Sequence, residues 1–176
     1  FRLAPNKRPL FKAGVPPDYF SRTGQLWGNP VYDWNNHRKD DYAWFLDRGA
    51  HNLALFDLVR IDHFRGLVDF WQVPARHQTA ARGQWIPGPG KDLFRKLFKR
   101  LPFAQIFAED LGYITPDVRE LMQQFDLPGM AVLQFGFDGD PRANSHCPHN
   151  LSPQTIVYTG THDNNTTRGW FARDLD

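Results

Sequence analysis

Cysteine is nearly missing from this chain of 176 residues. Cys147 is the single one, so no intramolecular disulfide can form and nothing demands an oxidising compartment. A cysteine-rich zinc site is excluded with it. No apolar run approaches the ~20 residues that a membrane-spanning helix needs. An excess of one charge is lacking too. The 21 basic and 19 acidic residues leave a formal +2, which argues against a nucleic-acid binder relying on a broad positive field. The opening Phe1-Arg2-Leu3-Ala4-Pro5 is not a charged stretch followed by an apolar one, so it is not a signal peptide. It also has no initiator Met. Both ends read as cut, and the expectation is a piece of a longer protein.

Hydrophobic residues make up 41% of the chain, enough for a core and against general disorder. Aromatics reach 15%, with six Trp, five Tyr and fifteen Phe. Most of the Phe belong in a core. Trp and Tyr beside turn residues suit sugar faces and protein interfaces alike.

Residues 1 to about 36 read as irregular. They carry Gly14-Val15-Pro16-Pro17-Asp18-Tyr19-Phe20-Ser21 and Gly24-Gln25-Leu26-Trp27-Gly28-Asn29-Pro30, a stretch whose rings point to an ordered, functional loop. A helix is expected from about Lys39 to Leu53, then a strand over Phe56–Ile61. The Gly- and Pro-containing stretch Trp85–Gly90 reads as loop. Residues 91–100 read as a helix with Leu93, Phe94, Leu97 and Phe98 on one stripe. Gln105–Ala108 is a second strand. Thr115-Pro116 opens a helix, as N-cap and first helical residue. Met130–Phe135 and Thr155–Thr159 are further strands. The strands are continuous apolar runs alternating with helical segments, the pattern of a parallel sheet buried on both faces.

Each of these strands leads into acidic residues: Asp62-His63-Phe64-Arg65-Gly66, Glu109-Asp110-Leu111-Gly112, Asp138-Gly139-Asp140 and His162-Asp163-Asn164-Asn165. In a (β/α)8 barrel such strand ends converge on the active-site face. In an open parallel sheet they line a crevice. An Asp after a strand also serves as turn former or helix cap. That reading fits Arg60-Ile61-Asp62-His63 least well, since a cation and a carboxylate crowd one strand end and burying them is costly without pairing.

At these residues the chain resembles the 4-α-glucanotransferases, also called amylomaltases or disproportionating enzymes, glycoside hydrolase family 77 and relatives of the α-amylases. The resemblance rests on Gly14 to Asp33, Arg60 to Gly66, Ala108 to Gly112 and Gly160 to Asn164, in the family's order. It implies an α/β fold: a partial (β/α)8 TIM barrel, about strands four to seven, with the aromatic-rich loop at its N-terminal end. Residues 1-36 would be the active-site covering region and 37-176 the barrel strand-helix units of a single catalytic domain.

The resemblance also implies a chemistry. Retaining transfer uses two carboxyl groups flanking a glycosidic bond. Asp62 is implied as nucleophile, Glu109 as acid/base, and Asp163 as the third carboxylate, holding the distorted sugar. Arg60 can point to the same side of the strand as Asp62, where a cation supports the carboxylate's charge. Apolar Ile106 and Phe107 precede Glu109, and such surroundings favour its protonated form. His63 and His162 match positions that bond sugar hydroxyls, although a turn histidine is also satisfied by backbone. Tyr19 and Trp27 are candidates for stacking the acceptor and excluding water, or for packing against another part of the protein. Asp18 and Asp138 are further candidates for sugar contacts. Asn165 stands where many family members have Asp, and a tuning effect is expected.

The implied partners are an α-1,4-glucan donor and a glucose or maltooligosaccharide acceptor, with no nucleic acid and no membrane. No cofactor and no metal are expected, since His146-Cys147-Pro148-His149 gathers no further ligand. The expected compartment is the cytoplasm, or the plastid in a photosynthetic eukaryote. The competing readings are an α-glucan hydrolase using water as acceptor, and a fragment that binds glucan without activity.

Overall fold

The computed structural model describes residues 1–18 and 21–174. Two compact units emerge. One is Phe1–Val59 with Phe64–Gln105; the other is Arg60–His63 with Ile106–Asp176. No helix among the described residues is long and apolar enough to cross a membrane.

The first unit holds a four-stranded antiparallel sheet. Strands β1 (Phe11–Val15) and β2 (Gln25–Pro30) lie in the stretch expected to be irregular. Strand β4 (Asp69–Pro74) pairs with β1, and β5 (Gln84–Pro87) pairs with β4, giving the order β2-β1-β4-β5. Thus residues 1–36 are not loop throughout, and Trp85–Pro87 is strand. Proline-rich segments pair here because their prolines fall at strand ends, where no ladder donor is lost.

The helix expected over about Lys39–Leu53 forms as α2 (Ala43–Leu55), and a short helix not foreseen, α1 (Trp34–Lys39), precedes it. Asp41 and Tyr42 between them adopt left-handed backbone, φ 53° and 60°. Tyr42 is fully buried, and its hydroxyl donates to Asp92 Oδ2 at 2.7 Å. That bond ties the break to helix α3 (Gly90–Arg100), whose Leu93, Phe94 and Leu97 are buried as their spacing predicts.

Strand β3 (Val59–Ile61), whose Arg60 and Ile61 belong to the second unit, pairs with β6 (Ile106–Ala108). Ala108 N–H then donates to Pro128 O at 2.8 Å, beside β7 (Gly129–Val132). β7 pairs in parallel with β8 (Thr155–Tyr158), Gly129 opposite Thr155 and Val132 opposite Tyr158. Phe107, Met130 and Val132 form a buried core with Leu111, Phe135, Ile156 and Tyr158 packed against it. Only β6 and most of β7 are buried on both faces; Val157 in β8 is 50% exposed. Helix α4 (Pro116–Gln124) buries Val118, Leu121 and Met122. Thr115 takes the extended cap conformation, but its side chain makes no capping bond. The expected strand to Phe135 stops at Val132 and continues as a short 3-10 turn, Leu133–Phe137. Helix α5 (Thr167–Arg173), not foreseen, follows the last loop, with the Thr166 side chain accepting from Gly169 N–H.

Candidate active site

The second unit carries Asp62, Glu109, Asp138 and Asp163, each in a segment that follows one of its strands. β3 delivers Asp62 and β6 delivers Glu109. Arg60 and Asp62 alternate along the strand onto one side, and Arg60 Nη2 donates to Asp62 Oδ1 at 2.5 Å. The Asp62 side chain is 76% exposed, so this pair adds little stability and leaves the carboxylate accessible.

Glu109 is held more firmly. Its own N–H donates to Ile61 O at 2.9 Å, locking β6 to β3. Its carboxylate then accepts two backbone N–H groups. His63 N–H reaches Oε2 at 2.6 Å and Leu111 N–H reaches Oε1 at 3.0 Å. His63 makes its bond from left-handed backbone, φ 46°, a conformation that costs a non-glycine residue about 1 kcal/mol or more. Burial raises the Glu109 carboxyl above its usual range. The neighbouring Asp62 charge adds to the rise, while the Leu111 and His63 N–H donors and Arg60 oppose it. A half-buried carboxyl shifted toward its protonated form thus stands beside an exposed carboxylate paired to an arginine.

Asp110, quoted within its motif but given no role in the sequence, anchors the next strand. Its Oδ1 accepts Met130 N–H at 2.8 Å. Gly129 makes room for it, since a Cβ there would lie 2.6 Å from Asp110 Oδ2. His146 caps the far end of the same strand: Val132 N–H donates to its Nδ1 at 3.1 Å. Burial lowers the His146 pKa, with the Asp110 charge opposing. His146 is therefore a backbone acceptor at the end of β7.

Asp163 sits in the loop after β8. Asn164 Oδ1 accepts both Thr161 N–H (3.0 Å) and Thr161 Oγ1 (2.9 Å), and Asp163 N–H donates to Thr161 Oγ1 at 3.2 Å. The turn so made projects His162 and Asp163 outward, 73% and 80% exposed, with His162 Nε2 3.4 Å from Asp163 Oδ2. Asp138 does not directly follow β7, because the 3-10 turn intervenes; it is exposed, and its carbonyl accepts from Asn144 Nδ2 at 2.8 Å.

Asp18 and Trp27 belong to the first unit. Asp18 Oδ1 accepts Ser21 N–H at 2.8 Å, a turn-forming contact. Trp27, in β2, is 42% exposed and donates through Nε1 to Gln25 Oε1. Tyr19 lies outside the described residues. No group of three or more potential metal ligands occurs among the described residues.

Sequence reasoning missed Gln134, which is 5% exposed and donates from Nε2 to Asn165 O at 3.0 Å. Its signal was a lone amide inside the apolar run Met130–Phe135. The bonds of the His63 and Leu111 N–H groups had no signal, being backbone.

The family profile described as 4-alpha-glucanotransferase matches residues 1–176. A 4-alpha-glucanotransferase of Aquifex aeolicus is 49% identical over 171 residues, 97% of this chain and 35% of the relative. A relative from Solanum tuberosum, named as chloroplastic/amyloplastic, is 52% identical over 163 residues, 93% of this chain and 28% of the relative. Among solved structures, an amylomaltase from Streptococcus agalactiae in complex with acarbose superposes with a TM-score of 0.94 at 42% identity, covering 100% of this chain and 35% of that one. The chain spans about a third of the length of the proteins it matches.

Proposed function

Because the chain belongs to the 4-alpha-glucanotransferase family, we propose that the protein it represents moves a segment of a 1,4-α-glucan to the 4-hydroxyl of an acceptor glucose or glucan, with retention at the anomeric carbon. The observation that carries this reading is the state of Glu109: half-buried, raised in pKa, beside the charge of Asp62, and gripped by two backbone N–H groups.

The steps follow from those positions. Asp62 attacks the anomeric carbon as the glycosidic bond breaks, and Glu109 gives its proton to the leaving oxygen. The carboxylate that Glu109 becomes is received by the N–H groups of His63 and Leu111, which strengthen as charge develops. The acceptor hydroxyl then gives its proton back to Glu109 while its oxygen displaces Asp62. Inversion twice gives retention. Arg60 holds Asp62 toward the sugar, and Asp163 contributes charge to the oxocarbenium-like transition state. His63, His162 and Asp138 are assigned to sugar hydroxyls. Asp18, Tyr19 and Trp27 are assigned to the acceptor on the resemblance alone.

On this reading β3, β6, β7 and β8 are strands four to seven of a (β/α)8 barrel. Their order and the parallel β7–β8 register support it. Acarbose, bound by the Streptococcus agalactiae protein, is assigned to the same site here, and the compartment is the cytosol or the plastid stroma.

The whole protein incubated with maltotriose tests the reading. Transfer yields both longer and shorter oligosaccharides. Products that are only smaller sugars mean hydrolysis and refute it.

A further inference from the structure

Gln134 is the one buried polar side chain among the described residues of the second unit. A buried amide is costly unless it is bonded, and an apolar residue of like size would fill the space without that cost. Its bond therefore calls for a use. From the 3-10 turn after β7, Nε2 donates to Asn165 O at 3.0 Å. The same nitrogen lies against Gly160, where a Cβ would come within 2.6 Å of it. One amide thus touches both stems of the loop that carries His162 and Asp163.

That loop is stiff within itself. Thr161 and Asn164 are joined by three bonds, two to the Asn164 side chain and one from its N–H to Thr161 O, and the Asp163 N–H closes onto Thr161 Oγ1. A turn braced internally moves as a body, and its placement is set where it is attached. Asp163 and His162 are mostly exposed, so packing does not hold them.

We propose that Gln134 is a positioning residue for Asp163: its amide, seated against Gly160 and the Asn165 carbonyl, sets where the His162–Asp163 turn stands relative to the strand ends. This rests on the role given to Asp163 above. Removing the donor leaves the Asn165 carbonyl without its Gln134 partner and frees both stems, while the turn's own bonds survive. Asp163 then spreads over several placements, and a ligand that needs its charge in one place binds less tightly.

The test is a binding cycle on the full-length protein, with acarbose as probe and calorimetry as readout, since binding is measurable in inactive variants. The variants are Gln134→Met, Asp163→Asn and the pair. Gln134→Met weakens binding on the order of tenfold when Asp163 is present, and has no further effect in the Asp163→Asn background. Equal weakening in both backgrounds, or none in either, overturns the proposal. Should Gln134→Met not fold, Gln134→Glu replaces it: the protonated carboxyl donates to the Asn165 carbonyl and the ionised one cannot. Affinity regained toward acid pH, and only with Asp163 present, supports the proposal; affinity without that pH dependence overturns it. If Asp163→Asn alone binds acarbose as the parent does, the role given to Asp163 falls and the proposal with it, an outcome distinct from a neutral Gln134→Met beside a damaging Asp163→Asn.

Discussion

Replacing Gly129 with Ala drives a methyl group into a carboxylate. The new Cβ would stand 2.6 Å from Asp110 Oδ2, 2.9 Å from Oδ1 and 3.0 Å from Cγ, well inside ordinary contact. Asp110 cannot simply swing aside, because Oδ1 accepts the N–H of Met130, itself buried. Two responses are open. If Asp110 turns away, the Met130 N–H loses its partner at about 1–3 kcal/mol. If β7 shifts instead, the overpacking costs about 1–3 kcal/mol. Against either, Ala stiffens the unfolded chain and returns about 0.4–1 kcal/mol. The net expectation is a loss of roughly 1–2 kcal/mol in urea denaturation of the whole protein. Transfer activity falls as well, because Asp110 is the neighbour of Glu109 and a displacement at β6 carries to the acid. The cause is isolated by Asp110→Ala. That variant alone is destabilised by the orphaned N–H, but adding Gly129→Ala to it costs nothing further, since the methyl group then enters vacated space. A Gly129→Ala penalty of equal size in both backgrounds, or no penalty in the parent, would refute the steric argument.

Two further outcomes are expected. His63→Gly keeps the left-handed backbone and its N–H bond to Glu109, whereas His63→Val strains that conformation. Losing a donor to the ionised form raises the Glu109 pKa, so the basic limb of kcat/KM moves to higher pH in His63→Val and stays in place in His63→Gly, though the latter loses the ring. Identical limbs in both variants would count against the backbone clamp. His146 is lowered from its ordinary 6.5 mainly by burial. The unfolded chain therefore binds this proton more tightly than the fold, so the group's contribution is complete above about pH 6.5 and is lost as pH falls through the folded value. His146→Asn can still accept from Val132 N–H and does not titrate, so its urea midpoint declines less between pH 7.5 and 5 than the parent's; equal declines would remove His146 from the account.

Local sequence carried the regular elements whose stabilising contacts lie nearby. The stripe of Leu93, Phe94 and Leu97 specified α3, and the apolar runs at Ile106–Ala108 and Thr155–Tyr158 specified strands, because periodicity and side-chain shape act within a few residues. Arg60 beside Asp62 was legible for the same reason: residues two apart in a strand share a face. The motifs around Asp62, Glu109 and Asp163 sufficed to recognise the family. Tertiary structure alone decided what joins distant segments. β1 finds β4 about 60 residues away, so strands appeared where Pro and Gly had read as loop. His63 meets Glu109 through a backbone N–H, a group every residue but proline owns and no side chain announces. Gly129 answers to Asp110, and Gln134 to Gly160 and Asn165, across 19 to 31 residues. Such contacts depend on how strands stack after the chain has closed its loops, and the order of letters does not carry that geometry.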